Sequence, residues 1–355
     1  MKRIILSAMA AAALLCSCNR DEIVETNPQN AISFDNAFVD HTTRATEITK
    51  DDLTEFYVHG IRKDNNQNVI TVFDNARVYR EGEKPENYVY KYDDTRYWFD
   101  GNYEFVACNL SDANTEIPPI VTMTPGDDRL LSSGKLIYTM DPETDLIVAE
   151  AKRTVSENAT VGTEKVDLTF NHLMSEIAFE ITNSLGNAYD LVINGATNTE
   201  DNNASCILLR YPQYGTYHFS DSTWTVGNRM QSGTITIDMV PTSVTIPGNP
   251  GSEGNAENIF RTDSKFVYPT ASGYGQEWMH AWIRIDIVHN GENVPAYTLD
   301  KNQLADMLDG IPMGVRFEPG KKYLIKINVS PETINAKEIE FTVEKVNDYT
   351  DGGII

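Results

Sequence analysis

Apolar residues in this chain recur at every second position, in short runs separated by polar or glycine-containing turns. Ile235, Ile237 and Met239 alternate with Thr234, Thr236 and Asp238, and Ile283, Ile285 and Ile287 alternate with Arg284 and Asp286. Val166, Leu168 and Phe170 follow the same rule, as do Ile177, Phe179 and Ile181. Tyr323, Ile325, Ile327 and Val329 repeat it near the end, with Ile339, Phe341 and Val343 beyond them. A period of two sets the apolar side chains of a segment on one face of an extended chain, whereas a helix face needs a period near 3.6. Residues 31–39, with Ile32, Phe34, Phe38 and Val39, are the first strand candidate, followed by 56–61, 69–73 and 103–107. The chain is therefore expected to be mostly β. One helical candidate is 299–308, where Leu304, Met307 and Leu308 share a face and Gly310 can end the turn. Strands and helices do not alternate along the sequence, which argues against a doubly wound nucleotide-binding fold.

Charge narrows the partners. The 29 Lys and Arg face 52 Asp and Glu, a formal charge of -23, and no basic patch is visible to recruit phosphates, so nucleic acid is not an expected partner. With 41% hydrophobic residues the chain has the material for a real core and does not read as disordered. Its 355 residues make two domains the natural expectation, with a single large β-rich domain as the alternative. The polar stretch at 159–164 interrupts two strand-rich regions, which suggests a division near 150–170. The glycine-rich stretch at 248–258 has strong strands on both sides and reads as a long surface loop.

The first residues read as an export signal rather than as fold. Lys2 and Arg3 precede an apolar run at 4–15 that is too short to span a bilayer. Leu15-Cys16-Ser17-Cys18 then resembles a bacterial lipobox, which implies lipidation of Cys18 and removal of 1–17. Ordinary secretion with Cys18 incidental is the alternative, and Cys16 fits the acceptor position less well. Residues 18–30 read as a polar tether, and its Asp21, Glu22 and Glu25 resemble a signal for transfer to the outer face of an outer membrane. Cys108 and Cys206 lack ligand spacing; they can pair after export or stay buried as thiols.

Little in the sequence assembles into catalysis. The six histidines form no ligand-spaced pair, and none lies beside a predicted nucleophile. His172, at a strand end, and His218, within Tyr217-His218-Phe219, read first as core-edge residues. Asp93-Asp94 and Asp127-Asp128 lack the spacing of a calcium loop and read as solvated charge. No enzyme, cofactor or metal is expected. Aromatic residues gather at Tyr88, Tyr90, Tyr92, Tyr97, Trp98 and Phe99, and again at Tyr211, Tyr214, Tyr217 and Phe219. Exposed, such rings could stack on glycans, but the alternation of the first three fits one strand face in a core.

Several segments in fixed order carry a resemblance. They are Cys18, Ala31-Ile32-Ser33-Phe34, Thr43-Arg44-Ala45, the strand at 53–60, Tyr97-Trp98 and Tyr103-Glu104-Phe105-Val106-Ala107. Leu168-Thr169-Phe170-Asn171-His172-Leu173 and Phe317-Glu318-Pro319-Gly320-Lys321-Lys322-Tyr323 follow. Together they resemble the fimbrillin family of Bacteroidales surface pilins, in its Mfa-like and FimA-like branches. The C-terminus departs from the family pattern, with Tyr349 where an aromatic Trp is common.

The resemblance implies two transthyretin-like β-sandwich domains in tandem: a signal at 1–17, a tether at 18–30, an N-terminal domain at 31–165 with a removable first strand, and a C-terminal domain at 166–355. It implies a lipoprotein delivered to the cell outer membrane, cut by an Arg-specific protease between Arg44 and Ala45 and joined to other fimbrial subunits by β-strand exchange. Ile339, Phe341 and Val343 are the candidate donor residues, and an ordinary terminal core strand is the alternative for them. The expected role is that of a fimbrial structural, accessory or tip subunit in cell adhesion, with a host or bacterial surface ligand possible at a tip. A surface glycan-binding lipoprotein is the second reading.

Overall fold

A computed structural model describes residues 30–34, 36–39, 52–83, 87–112, 119–156, 165–193, 207–226, 234–240, 242–248, 258–269, 280–283, 285–294, 317–332 and 340–346. Cys18, Arg44, Ala45, Cys206, Ile339 and the helical candidate at 299–308 lie outside the described residues. What is described is almost wholly β, in five sheets.

The largest sheet has seven strands: β1 (Asn36–Val39), β2 (Glu55–Lys63), β3 (Val69–Glu81), β4 (Val89–Tyr92), β5 (Gly101–Cys108), β8 (Ile147–Val155) and β9 (Asp167–His172). Their order is β1-β9-β8-β5-β2-β3-β4. A second sheet joins β6 (Ile120–Thr124) and β7 (Lys135–Thr139) to the hairpin β13 (Tyr214–His218) and β14 (Thr223–Val226). The third centres on β10 (Ser175–Asn183), flanked by β17 (Ile259–Arg261), β18 (Lys265–Val267) and β22 (Lys322–Val329), with β23 (Glu340–Val346) outside β22. Two smaller sheets hold β11 (Tyr189–Ile193), β16 (Val244–Ile246), β20 (Asp286–His289) and β21 (Glu292–Asn293), and β12 (Ile207–Pro212), β15 (Thr234–Asp238) and β19 (His280–Ile283). Two sheets draw strands from both sides of residue 165: β9 lies beside β8, and β13 pairs with β7, Tyr217 opposite Leu136.

The apolar side chains gather in two cores. One contains residues from all five sheets, among them Tyr138, Phe179, Ile237, Ile246 and Ile325. Its spine is β10, which runs parallel to β22 and is buried along nearly its whole length. A strand covered on both faces should read as a near-continuous apolar run, and the polar exceptions need partners. Glu176 finds one directly across the ladder, where its Oε1 lies 2.9 Å from the Lys322 Nζ. Tyr268 sits over Gly215, where any Cβ would come within 2.5 Å of the tyrosine Cε1, so only glycine lets the two elements close.

The other core belongs to the seven-stranded sheet alone. It comprises Phe56, Val58, Phe73, Val78, Tyr90, Tyr103, Phe105, Ala107, Ile147, Ala149, Val155, Leu168 and Phe170, with Ile32, Phe34, Leu53, Trp98 and Val166 from the connecting chain. The sheet must curl to bury its own face. Phe56 of β2 and Phe170 of β9 have two strands between them, yet their ring centroids are 5.2 Å apart. On a flat sheet those strands would stand about 14 Å apart. At the start of β8 the curl is pinned by a buried pair, His172 Nδ1 to Asp145 Oδ2 at 2.5 Å, and by the Leu173 N–H donated to the Leu146 carbonyl.

Candidate functional site

Inside the curled sheet lies a stretch of chain that belongs to no strand. Residues 30–34 enter beside the loop after β4: the Trp98 N–H donates to the Asn30 carbonyl and the Ile32 N–H to the Arg96 carbonyl, both at 2.9 Å. The Tyr92 hydroxyl donates to the Ile32 carbonyl at 2.7 Å, and burial pushes that phenol above its ordinary range. Farther on, the Val166 N–H donates to the Ser33 carbonyl at 2.7 Å, next to β9. The segment thus crosses the concave face from the β4 side to the β9 side, and we call it the strap.

Its side chains occupy the middle of the core. Ile32 is 2% exposed and Phe34 is fully buried. The Phe34 ring meets Phe56, Phe73, Tyr92 and Phe105 edge-on at centroid distances of 6.2, 5.4, 5.8 and 6.0 Å. Four rings from four neighbouring strands form a socket, closed from below by Gly60, where a Cβ would approach the Phe73 Cδ2 to 2.9 Å. Edge-to-face pairs contribute about 0.5–1.5 kcal/mol each beyond area burial. Because these rings also touch one another, the four terms do not add simply.

Past the strap the chain becomes β1, parallel to β9, with Ala37 opposite Leu168 and Val39 opposite Phe170. β9 meets β8 only at His172 and Asn171. Among the described residues, 167–170 therefore take their ladder partners from β1 alone. The expected single strand over 31–39 is two pieces: a crossing strap, anchored by one bridge between Ala31 and Tyr97, and a four-residue edge strand. The difference has a physical cause. A ring buried among four others inside a curl cannot also hold its backbone in the ladder at the rim.

The family model for fimbrillin-like proteins matches residues 43–345. The chain belongs to the fimbrillin-like family. Among solved structures, this fimbrillin-like chain is similar to a fimbrial protein from Bacteroides vulgatus, 14% identical, with a TM-score of 0.53 over 89% of this chain and 98% of that one. At that identity the likeness is one of fold. The fimbrial anchor protein Mfa2 from Porphyromonas gingivalis is 11% identical, with a TM-score of 0.34 over 90% of this chain and 100% of that one. No curated protein matches the sequence.

The other expected positions fall as follows in the fimbrillin-like chain. Arg44 and Ala45 belong to the stretch that links β1 to Leu53, and Leu53 is buried in the same core as the strap. Any cut in that stretch severs the strap from β2 without touching the socket. At the other end, β23 pairs antiparallel with β22, Phe341 opposite Ile327 and Val343 opposite Ile325. It is the outermost strand of its sheet, bonded on one side among the described residues.

The aromatic cluster is divided between core and surface. Tyr90 and Trp98 are each 4% exposed, so neither is available to stack on a sugar, whereas Phe99 is 40% exposed beneath the Arg62 guanidinium. Tyr88 lies under Arg80, 3.9 Å from guanidinium carbon to ring centroid. The Asp128 carboxylate accepts hydrogen bonds from Ser133 and the Leu130 N–H, which hold it below the usual range, and thereby closes a turn. No group of three or more metal-ligating side chains occurs among the described residues. Burial pushes the Cys108 thiol up to about 12, which leaves it un-ionised and unreactive at neutral pH. His218 contacts the Thr225 hydroxyl at 3.1 Å on the β13–β14 hairpin. Sequence reasoning did not pick out Asp145 as the partner of His172, nor Phe56, Phe73, Tyr92 and Phe105 as one ring socket. The only signal for the socket was the presence of aromatic residues in four separate strand candidates.

Proposed function

We propose that this chain is a fimbrial subunit made as a lipid-anchored precursor, matured by cutting between Arg44 and Ala45, and assembled by strand exchange. The observation that carries this reading is the strap itself. It fills the centre of a core, and the chain reaches β2 from it through β1 and the stretch that follows. Losing the strap together with β1 would uncover the aromatic socket and the β9 backbone donors and acceptors at 167–170, and a donor strand satisfies both needs at once. The anchor would be lipidated Cys18 in the outer membrane, the processing enzyme an Arg-specific protease, and the partners other fimbrial subunits. After maturation the body would sit in a surface fimbrium that serves adhesion.

The candidate donor is β23 of a neighbouring copy. An edge strand can leave its sheet by breaking one row of hydrogen bonds, which a central strand such as β10 cannot do. The test is Arg-specific cleavage of the purified full chain. Loss of residues 1–44 should be followed by polymers, and a chain truncated after Glu338 should be cut equally but stay monomeric. A cut chain that sheds its strap and remains monomeric contradicts strand exchange. Unchanged membrane retention of Cys18→Ala in cell fractions contradicts the anchor.

A further inference from the structure

Across the parallel ladder of β10 and β22, Glu176 faces Lys322 and, four positions on, Glu180 faces Lys326. The two pairs share strands, residue types and orientation, but not surroundings. Lys326 is 38% exposed and 3.9 Å from the Glu180 carboxylate. A hydrogen bond to Glu344 pushes its ammonium up and keeps it charged, and Arg261 also holds Glu180 at 2.6 Å. By contrast, the Glu176 side chain is fully buried and that of Lys322 is 7% exposed, with Nζ 2.9 Å from Oε1.

Burying an ion pair is costly, because neither charge keeps its water. Moving one proton from the ammonium to the carboxylate removes both charges, and a desolvated neutral amine is a nucleophile. The two groups are also held in place. They are register partners in a ladder of eight pairs, the Glu176 N–H donates to the Lys321 carbonyl at 2.9 Å, and the Ser175 hydroxyl donates to the Glu318 carbonyl at 2.8 Å. Fixed placement of this kind turns an encounter between two groups into an internal step. We propose that Glu176 and Lys322 condense into an isopeptide cross-link. The ammonium gives one proton to the carboxylate, and the freed Nζ lone pair attacks Cδ. As the Cδ–Nζ bond forms, the Cδ–OH bond breaks, and the hydroxyl leaves as water with a second proton from the nitrogen. The product is a neutral amide, and the step consumes no oxidant, reductant or cofactor. Exclusion of water from the site then protects the amide from hydrolysis. Glu180 and Lys326, hydrated and charged, stay an ion pair. The cross-link does not depend on strand exchange. It ties β10 to β22 across 146 residues of sequence, and closing so long a loop restricts the unfolded chain.

Intact-mass spectrometry of the purified full chain beside its Lys322→Arg variant tests this. After allowance for the substitution, the unsubstituted chain should be lighter by one water. Its tryptic digest should contain a branched peptide in which Lys322 is uncut and joined to the segment that carries Glu176, while Lys326 is cut normally. Lys326→Arg should keep the water loss. A chain at full mass with Lys322 cut overturns the proposal, and so does an equal loss of water from Lys322→Arg. If Lys322→Arg does not fold, the branched peptide decides alone: its presence in the unsubstituted chain supports the cross-link and its absence overturns it.

Discussion

The two cores of this molecule are built on opposite plans. One is walled by five sheets and crossed by β10, a strand buried on both faces and locked to β22 over eight register pairs. The other is the inside of a single curled sheet, with a strap of chain in its middle. Removing one segment from the first core would open several sheets together. Removing the strap and β1 from the second would empty its centre and strip residues 167–170 of β9 of their ladder partners, while the ladders linking β8, β5, β2, β3 and β4 would keep their hydrogen bonds. A core becomes replaceable when its centre is filled by one segment that a cut elsewhere in the chain can free.

The largest effects should come from large-to-small changes in either core, and cleavage should separate them. In the intact chain, Phe34→Ala and Phe179→Ala should each cost about 3–5 kcal/mol in urea unfolding. Once the 1–44 fragment has left, Phe34→Ala should match the wild type and Phe179→Ala should still be destabilised. A persistent Phe34→Ala deficit would break the distinction between the cores. Asp145→Ala leaves His172 buried without its carboxylate partner and should cost about 3 kcal/mol whether or not the strap is present.

Smaller changes test how the strap is held. Tyr92→Phe removes the hydrogen bond to the Ile32 carbonyl and should weaken strap retention by about 1 kcal/mol, read as faster release of the fragment from the nicked chain. The smallest effect concerns Glu55, whose carboxyl is held below its ordinary value by the Arg77 guanidinium hydrogen-bonded to it. A depressed carboxylate contributes stability that is present above the unfolded-state pKa of 4.5 and is lost as pH falls through the lower folded value. Stability against pH for Glu55→Gln should therefore lie slightly below the wild type at neutral pH and merge with it in acid, and added salt should shrink the gap.

Much of the strand content was legible because burial on one face enforces alternation. Ile177, Phe179 and Ile181 lie in β10, Tyr323 to Val329 in β22, and Tyr90 in β4 with its ring inward. Where alternation failed as a guide, the deciding contacts were distant. The parallel pairing of β10 with β22 joins Glu176 to Lys322 across 146 residues, and Asp145 reaches His172 across 27. Nothing local encodes either. The strap was legible as apolar and extended, but an Ile-x-Phe spacing looks the same in a ladder strand and in a chain crossing a curled sheet. The sequence 69–73 likewise marks only the start of β3, which runs on to Glu81 past a left-handed Asn75 with φ of 48°.

Amide hydrogen exchange at Trp98 and Val166 tests the central claim most directly, since these two N–H groups donate to the carbonyls of Asn30 and Ser33 from opposite ends of the strap. Both should be protected in the intact chain, lose protection together when the 1–44 fragment departs, and recover it in the assembled polymer. Polymers in which both amides remain open, or a cleaved chain in which both stay protected after the fragment has gone, would contradict the account.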